Sequence, residues 1–184
     1  MLSLFQRKNG NAALPVMDDD VRRLIGPLRD TAASLECCRD DELQAECRHL
    51  KRQIVQGAEL TSPEVLVAGL ALVVESLKRT HGAELYDVQL YAALMLCRGC
   101  IAQMQTGEGK TFVAIATAAH LSMAGRGVHV MTPNSYLADR DCRLAERALQ
   151  PLGLSAGLTR DQASPSDKQA AYDCDITYGT GHEF

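Results

Sequence analysis

The sequence has little positive charge, few aromatic residues and no long apolar run. Its 184 residues carry a formal net charge of −4, and aromatic residues make up 4% of them. Proteins dedicated to nucleic acids usually present a strongly basic face, so this balance argues against that class. The longest apolar run, VLVAGLALVV at 65–74, is far shorter than the ~20 residues that a membrane-spanning helix needs. We expect it to form a buried helix.

Cysteine is present in an odd number, with no recognisable secretory signal ahead of it. Seven cysteines are scattered along the chain, and residues 1–10 lack the apolar stretch of such a signal. We therefore expect free thiols in a reducing, cytosolic compartment. Cys97 and Cys100 form a CxxC pair, but no second pair of this kind accompanies it. We expect these two thiols to pack in the core rather than to bind zinc.

Apolar residues at helical spacing predict a helical first half. Ser62 suits an N-cap, Pro63 suits the first helical position and Gly82 suits a helix stop. The predicted helices begin near residue 18 and cover 40–56, 62–80 and 87–99. We expect residues 1–17 to be a flexible arm and residues 18–86 to be a helical N-terminal segment.

From residue 100 onward, predicted strands alternate with predicted helices. The strands cover 100–104, 127–132, 154–159 and 175–179, and the second of them is expected to be buried. The helices cover 110–123, 134–153 and a segment from 164. Short connections in such an alternation imply a parallel sheet flanked by helices, which is an α/β fold. We assign residues 87–184 to this part. His129 lies in the middle of an apolar strand, and we expect it to be a hydrogen-bonded core histidine.

The stretch TGEGKT at 106–111 separates a predicted strand from a predicted helix. Gly107 and Gly109 allow the backbone N–H groups of this turn to wrap a phosphate, at the positive end of the helix dipole. Lys110 would then reach the β- and γ-phosphates, and the Thr111 hydroxyl would bind Mg²⁺. The strict phosphate-loop pattern has glycine where this chain has Met104. The competing interpretation is a Gly-rich turn with an exposed lysine.

Two further side chains are candidates for the same site. Gln89 lies 21 residues before Lys110, and its amide can read an adenine edge because it both donates and accepts. The alternative for Gln89 is a solvated residue on a helix. Glu108 is expected to be solvated or to hold the conformation of the turn, and a role linked to magnesium stays open.

These motifs resemble the SecA family of ATPase motors, which drive bacterial preprotein export. The resemblance covers about residues 18–184 and rests on YDVQL, IAQMQTGEGKT, GVHVMTPNSYLADRD and DITYGT, in that order. Loops similar to those of SecA also carry methionine at the position of Met104. The resemblance implies an incomplete RecA-like P-loop NTPase domain behind a helical N-terminal segment. It implies a structural or coupling role for TPNSYLADRD. Gly181-His182 departs from the two asparagines common in the family.

The resemblance also implies cofactors, residue roles and partners. The cofactors would be ATP or ADP with Mg²⁺, and the whole motor would be a protein-transporting ATPase. Lys110 and Thr111 would be catalytic, and Thr111 would hold the metal through the nucleotide. The implied cofactor contacts are Gln89, Thr106, Gly107, Glu108, Gly109, Lys110 and Thr111. The partners would be an unfolded preprotein and the membrane Sec channel, and the motor would be cytoplasmic and peripheral to the inner membrane.

Two other function classes stay open at this point. A superfamily-2, DEAD-like helicase also pairs an upstream glutamine with such a loop. The acidic balance and the lack of an aromatic strand-binding face argue against it, so no nucleic acid is expected. The other class is a stand-alone, non-catalytic nucleotide-binding module. Oligomerisation stays open, as does a contact of Leu2, Leu4 and Phe5 with an anionic lipid surface.

The sequence ends at Phe184, inside a motif of the family. The acidic strand and the second motor domain of SecA proteins lie further along. Phosphoryl transfer depends on the positioning and charge stabilisation that such parts supply. We therefore expect this chain alone to bind nucleotide weakly and to hydrolyse it scarcely.

Overall fold

Among the described residues, five α-helices lie between residues 19 and 97, and the C-terminal part holds three more α-helices and a small parallel sheet. The structure, a computed structural model, describes residues 18–184 in full and the backbone of residues 3–5, 7–8 and 11–12. The helices are α1 (Asp19–Arg22), α2 (Ile25–Leu35), α3 (Asp40–Val55), α4 (Pro63–His81), α5 (Asp87–Cys97), α6 (Lys110–Ser122), α7 (Ser135–Leu149) and α8 (Pro165–Tyr172). The strands are β1 (Ser3–Phe5), β2 (Arg7–Lys8), β3 (Asn11–Ala12), β4 (Ile101–Gln103), β5 (Val128–Thr132), β6 (Ala156–Leu158) and β7 (Ile176–Thr180). The predicted flexible arm and its lipid contact fall mostly outside the described residues and stay predictions.

Helix α4 is the buried centre of the helical part. Ser62 caps it by accepting a hydrogen bond from the N–H of Val65 at 3.4 Å. Pro63 occupies the first helical position, and Gly82 ends the helix in the left-handed conformation. These are the capping positions that the sequence predicts. The apolar run at 65–74 is largely buried, as predicted, because α4 packs against α2, α3, α6 and α7.

Helices α4 and α6 approach each other closely at one point. A Cβ atom added to Gly69 would come 2.2 Å from Nδ1 of His120. The other ring nitrogen of His120, Nε2, donates a hydrogen bond to the carbonyl of Leu60 at 3.0 Å. This contact holds the C-terminal end of α6 against the helical part, and it requires glycine because of space.

Three strands form a parallel sheet in the order β5-β7-β6. Val128 of β5 and Ala156 of β6 both lie opposite Ile176 of the central strand. Ile176 and Tyr178 are at most 1% exposed, so β7 is the buried middle of the sheet. Helices α6, α7 and α8 pack against these strands. The predicted α/β fold, a parallel sheet flanked by helices behind a helical N-terminal segment, is confirmed.

Two expectations about the strands are wrong. In the described part of the chain, β4 pairs antiparallel with β1 and is not joined to the parallel sheet. Its residues Ile101 and Gln103 are exposed on either side of half-buried Ala102, whereas a strand inside a helix-covered sheet is apolar on both faces. Strand β5, expected to be buried, alternates half-buried and exposed residues because it lies at the edge of its sheet.

His129 is not the buried core histidine that its apolar neighbours indicate. It lies on an exposed position of β5. Its ring stacks on Phe184, with centroids 4.5 Å apart and an interplanar angle of 19°. It also packs edge to face against the ring of Tyr172, with centroids 5.5 Å apart. A strand at a sheet edge turns alternate side chains outward, so an apolar surrounding sequence does not bury each of them.

The helical segment and the α/β part share one core. Buried residues form a continuous cluster that extends from Val21 to Tyr178. Lys51 of α3 pairs with Asp175, just before β7, at 3.0 Å. The hydroxyl of Ser76 on α4 also donates a hydrogen bond to a carbonyl near the end of α7. The proposed boundary between residues 86 and 87 stays a prediction.

Candidate nucleotide-binding site

A tight loop joins β4 to α6, and two of its glycines have backbone angles that other residues rarely adopt. Gly107 has a φ of 87° and Gly109 a φ of 74°. A Cβ atom at Gly109 would also come 2.3 Å from Nε2 of Gln89, whereas one at Gly107 would meet open space. Gly109 is the residue that immediately precedes α6. The glycines therefore serve the turn in the way that the sequence predicts.

Within the described residues, the loop leaves several backbone N–H groups without an acceptor. Among residues 18–184, the N–H groups of Gly107, Gly109, Lys110 and Thr111 donate no hydrogen bond. These groups surround the N-terminal end of α6, where the helix dipole is positive. Such a set of donors fits an anion with several oxygens, and a phosphate is of that kind. Thr106 lies exposed in the same turn.

The ammonium of Lys110 folds back over the loop. Its Nζ donates hydrogen bonds to the carbonyls of Met104 and Gln105, both at 3.1 Å. An ammonium has three protons, so one remains for a further acceptor. The side chain is exposed at the open side of the turn, beside the free N–H groups. This position suits a cation that balances the charge of a phosphate.

The side chain of Glu108 forms a hydrogen bond inside the loop. Its Oε2 accepts a hydrogen bond from the N–H of Gln105 at 2.6 Å. A carboxylate that accepts from a backbone N–H makes one of the stronger hydrogen bonds in proteins. Glu108 therefore holds the conformation of the turn, which is one of the two roles expected for it.

Gln89 is part of the loop's support. It is only 8% exposed, so the alternative of a solvated glutamine is wrong. Its Oε1 accepts from the N–H of Tyr86 at 2.8 Å, and its Nε2 donates to the carbonyl of Glu108 at 2.9 Å. A glutamine amide has two donor protons and two lone pairs. One donor and one acceptor position are thus left for an external partner.

Thr111 contacts two residues of α7 that the sequence alone did not single out. Its hydroxyl lies 3.5 Å from Oδ1 of Asp141 and 3.3 Å from Nη2 of Arg140. The Nη2 and Nε atoms of Arg140 also donate to the same Oδ1, at 2.7 and 2.8 Å. Both residues belong to TPNSYLADRD, for which the resemblance implied a structural or coupling role. The sequence shows only that they belong to the helix after a parallel strand, a place where ligand sites collect, and it does not give their contact with Thr111.

The two thiols of the CxxC pair differ in burial. Burial raises the pKa of the Cys97 thiol to about 12 and also raises the pKa of the less buried Cys100. A thiol that stays protonated is a poor metal ligand and a poor nucleophile. In the described part of the chain, no three side chains of the metal-ligating kind come together in a cluster.

A Gly-rich loop between a strand and a helix, with free N–H groups, a lysine over the loop and a hydroxyl next to it, defines a P-loop fold. The family model described as the SecA DEAD-like domain matches residues 16–184. The chain therefore belongs to the SecA family.

Curated relatives named "Protein translocase subunit SecA" agree with this assignment. The relative from Gracilaria tenuistipitata var. liui is 44% identical over 144 residues, which is 78% of this chain and 16% of that protein. The one from Nitrosomonas eutropha is 39% identical over 162 residues, which is 88% of this chain and 18% of that protein. The chain thus spans less than a fifth of the length of these relatives. Among the described residues, no helix combines the length and apolar character needed to cross a membrane.

Proposed function

We propose that this chain binds ATP or ADP at the loop between β4 and α6, as the nucleotide-binding part of a SecA-type translocation ATPase. The observation that carries the proposal is the set of unused N–H groups at the start of α6. Membership of the SecA family supports it.

On this proposal, different residues of the site bind the phosphates, the metal ion and the adenine. The N–H groups of Gly107, Gly109 and Lys110 donate to phosphate oxygens, and the Lys110 ammonium balances their charge. Thr111 supplies a hydroxyl oxygen for Mg²⁺, which prefers oxygen ligands and keeps several of its waters. The remaining donor and acceptor of Gln89 match the edge of an adenine ring. Thr106 and Glu108 shape the loop around the phosphates.

Bound ATP supplies the phosphoryl group, and this chain orients it. Lys110 and Thr111 place charge and a metal ligand beside the phosphates, which is how P-loop proteins lower the barrier. Hydrolysis also needs a group that orients the attacking water. Neither Lys110 nor Thr111 has this role in the proposal, so we expect turnover by this chain alone to be slow.

The wider role proposed is movement of an unfolded preprotein through the membrane Sec channel. Its support is the printed name of the relatives, protein translocase subunit. On this proposal, the protein acts at the cytoplasmic face of the membrane, as a peripheral partner of the channel. The helicase alternative is not carried forward, because the matching family is SecA.

Equilibrium titration with a fluorescent ADP analogue tests the nucleotide site. Lys110→Ala removes a charged donor to phosphate, a loss of about 1.5–3 kcal/mol, or roughly ten- to hundredfold in affinity. Lys78→Ala is the matched control, because Lys78 pairs with Glu36 on the surface and lies on α4. Equal affinities for the wild type and Lys110→Ala would contradict the proposal. A loss in both variants would point to general destabilisation.

A further inference from the structure

Next to the loop, Asp141 collects three hydrogen bonds on a single oxygen. Its Oδ1 accepts from Nε and Nη2 of Arg140 and lies within reach of the Thr111 hydroxyl. Its second oxygen, Oδ2, has no donor within hydrogen-bond distance among residues 18–184. The side chain is 16% exposed. A carboxylate so placed has one occupied and one free oxygen beside the predicted metal ligand.

The contact between Arg140 and Asp141 is unusual for two consecutive residues of a helix. Consecutive positions on a helix do not face each other. Arg140 nevertheless turns back so that Nη2 contacts both Asp141 and the Thr111 hydroxyl. The Arg140 side chain is 45% exposed, and ion pairs at such positions contribute little to stability. The ion pair with Asp141 therefore does not explain the position of Arg140, and the contact with Thr111 is the feature to be explained.

A guanidinium and a magnesium ion cannot both lie at the Thr111 hydroxyl. Nη2 of Arg140 is 3.3 Å from this oxygen, which is the atom proposed to bind Mg²⁺. A Mg²⁺ ion bound to this oxygen at about 2.1 Å would lie within about 5.4 Å of Nη2, a distance at which two cations repel each other. Occupation of the site by Mg²⁺ must therefore displace Arg140, while Asp141 attracts whichever cation is present.

We propose that Asp141 is a positioning residue for the Mg²⁺ of the bound nucleotide, and that Arg140 is the cation that balances Asp141 while the metal is absent. The inference rests on the proposed nucleotide site. Mg²⁺ keeps several bound waters, and Oδ2 is free to accept from one of them. Second-sphere partners of this kind change metal affinity by about 10- to 100-fold.

The assignment predicts a specific change in the magnesium dependence of ADP binding. The dissociation constant of the fluorescent ADP analogue is measured in EDTA and across a Mg²⁺ titration, with the full 184-residue chain. For Asp141→Asn we expect the tightening produced by Mg²⁺ to fall at least tenfold. Affinity in EDTA should stay the same or improve, because a negative charge near the phosphates is gone. For Arg140→Gln we expect a lower Mg²⁺ midpoint, since the competing cation is removed.

Two controls lie on the same helix. Asp139→Asn removes a carboxylate that pairs with Arg143 and Arg160 instead of the loop. Arg143→Gln removes an exposed guanidinium of the same helix. Both variants should keep the wild-type response to Mg²⁺.

The outcomes separate this inference from the nucleotide site itself. If Asp141→Asn keeps the wild-type response, or loses the same factor with and without Mg²⁺, the positioning role is overturned while the nucleotide site stands. If Mg²⁺ does not tighten binding in the wild type, the metal role of Thr111 fails and the assignment fails with it. If the wild-type chain binds no ADP under either condition, the proposed function is refuted as well.

Discussion

Replacing Gly109 by alanine tests whether Gln89 supports the loop. A non-glycine residue in the left-handed conformation costs about 1–2 kcal/mol. The new Cβ would also come 2.3 Å from Nε2 of Gln89, so the amide must move away. Its hydrogen bond to the carbonyl of Glu108 is then lost, and leaving such buried groups unpaired costs about 1–3 kcal/mol. We expect Gly109→Ala to lower the free energy of unfolding by about 2–5 kcal/mol.

Gly107→Ala is the matched control for this change. Gly107 has a similar positive φ of 87°, but its added Cβ would meet open space. It should cost only the backbone strain, about 1–2 kcal/mol. The difference between the two variants, about 1–3 kcal/mol, measures the contact with Gln89. In urea, a difference of ~2 kcal/mol separates the midpoints by about 1 M for a domain of this size.

A double-mutant cycle identifies the source of the difference. In a Gln89→Ala background the collision is absent, so Gly109→Ala should cost no more than Gly107→Ala. Equal costs of the two glycine variants in the wild-type background would refute the reasoning. So would an unchanged cost of Gly109→Ala after removal of the glutamine.

Two further predictions concern stability away from the loop. Burial lowers the pKa of His120, and its hydrogen bond to the Leu60 carbonyl only partly offsets this. When folding lowers the pKa of a histidine, its contribution to stability is present above the pKa of the unfolded state, about 6.5, and is lost as the pH falls. The free energy of unfolding should therefore drop between pH 7.5 and pH 5.5. His120→Gln should flatten that pH dependence; an unchanged slope would contradict the assignment. Ser62→Ala removes the N-cap of α4 and should cost about 1 kcal/mol in urea unfolding, whereas Ser34→Ala, on the exposed side of α2, should cost little; similar losses would argue against a capping role.

Features fixed by local chemistry could be predicted from the sequence. The start and end of α4 follow from Ser62, Pro63 and Gly82, because each residue type meets a specific need of a helix terminus. The loop likewise follows from two glycines between a strand and a helix. Family resemblance led to the same fold, and the match over residues 16–184 agrees with it.

Features that depend on how distant segments meet could not be predicted. Thr111 contacts Arg140 and Asp141 only because α7 packs across the start of α6, and nothing in the local pattern gives that alignment. The exposure of His129 follows from the strand order, which leaves β5 at an edge. Periodicity shows that a strand is apolar, but it does not show how many neighbours the strand has.

The close contact between Gly69 and His120 determines how α6 can respond to a ligand. It fixes the C-terminal end of the helix, while the unused N–H groups lie at the opposite end. His120 lies ten positions after Lys110 on α6, which is a distance of about 15 Å along the helix axis. The start of α6 is held as well, since the ring of Phe112 meets that of His81 on α4 with centroids 5.6 Å apart, so a ligand at the loop acts on a helix that is anchored at both ends.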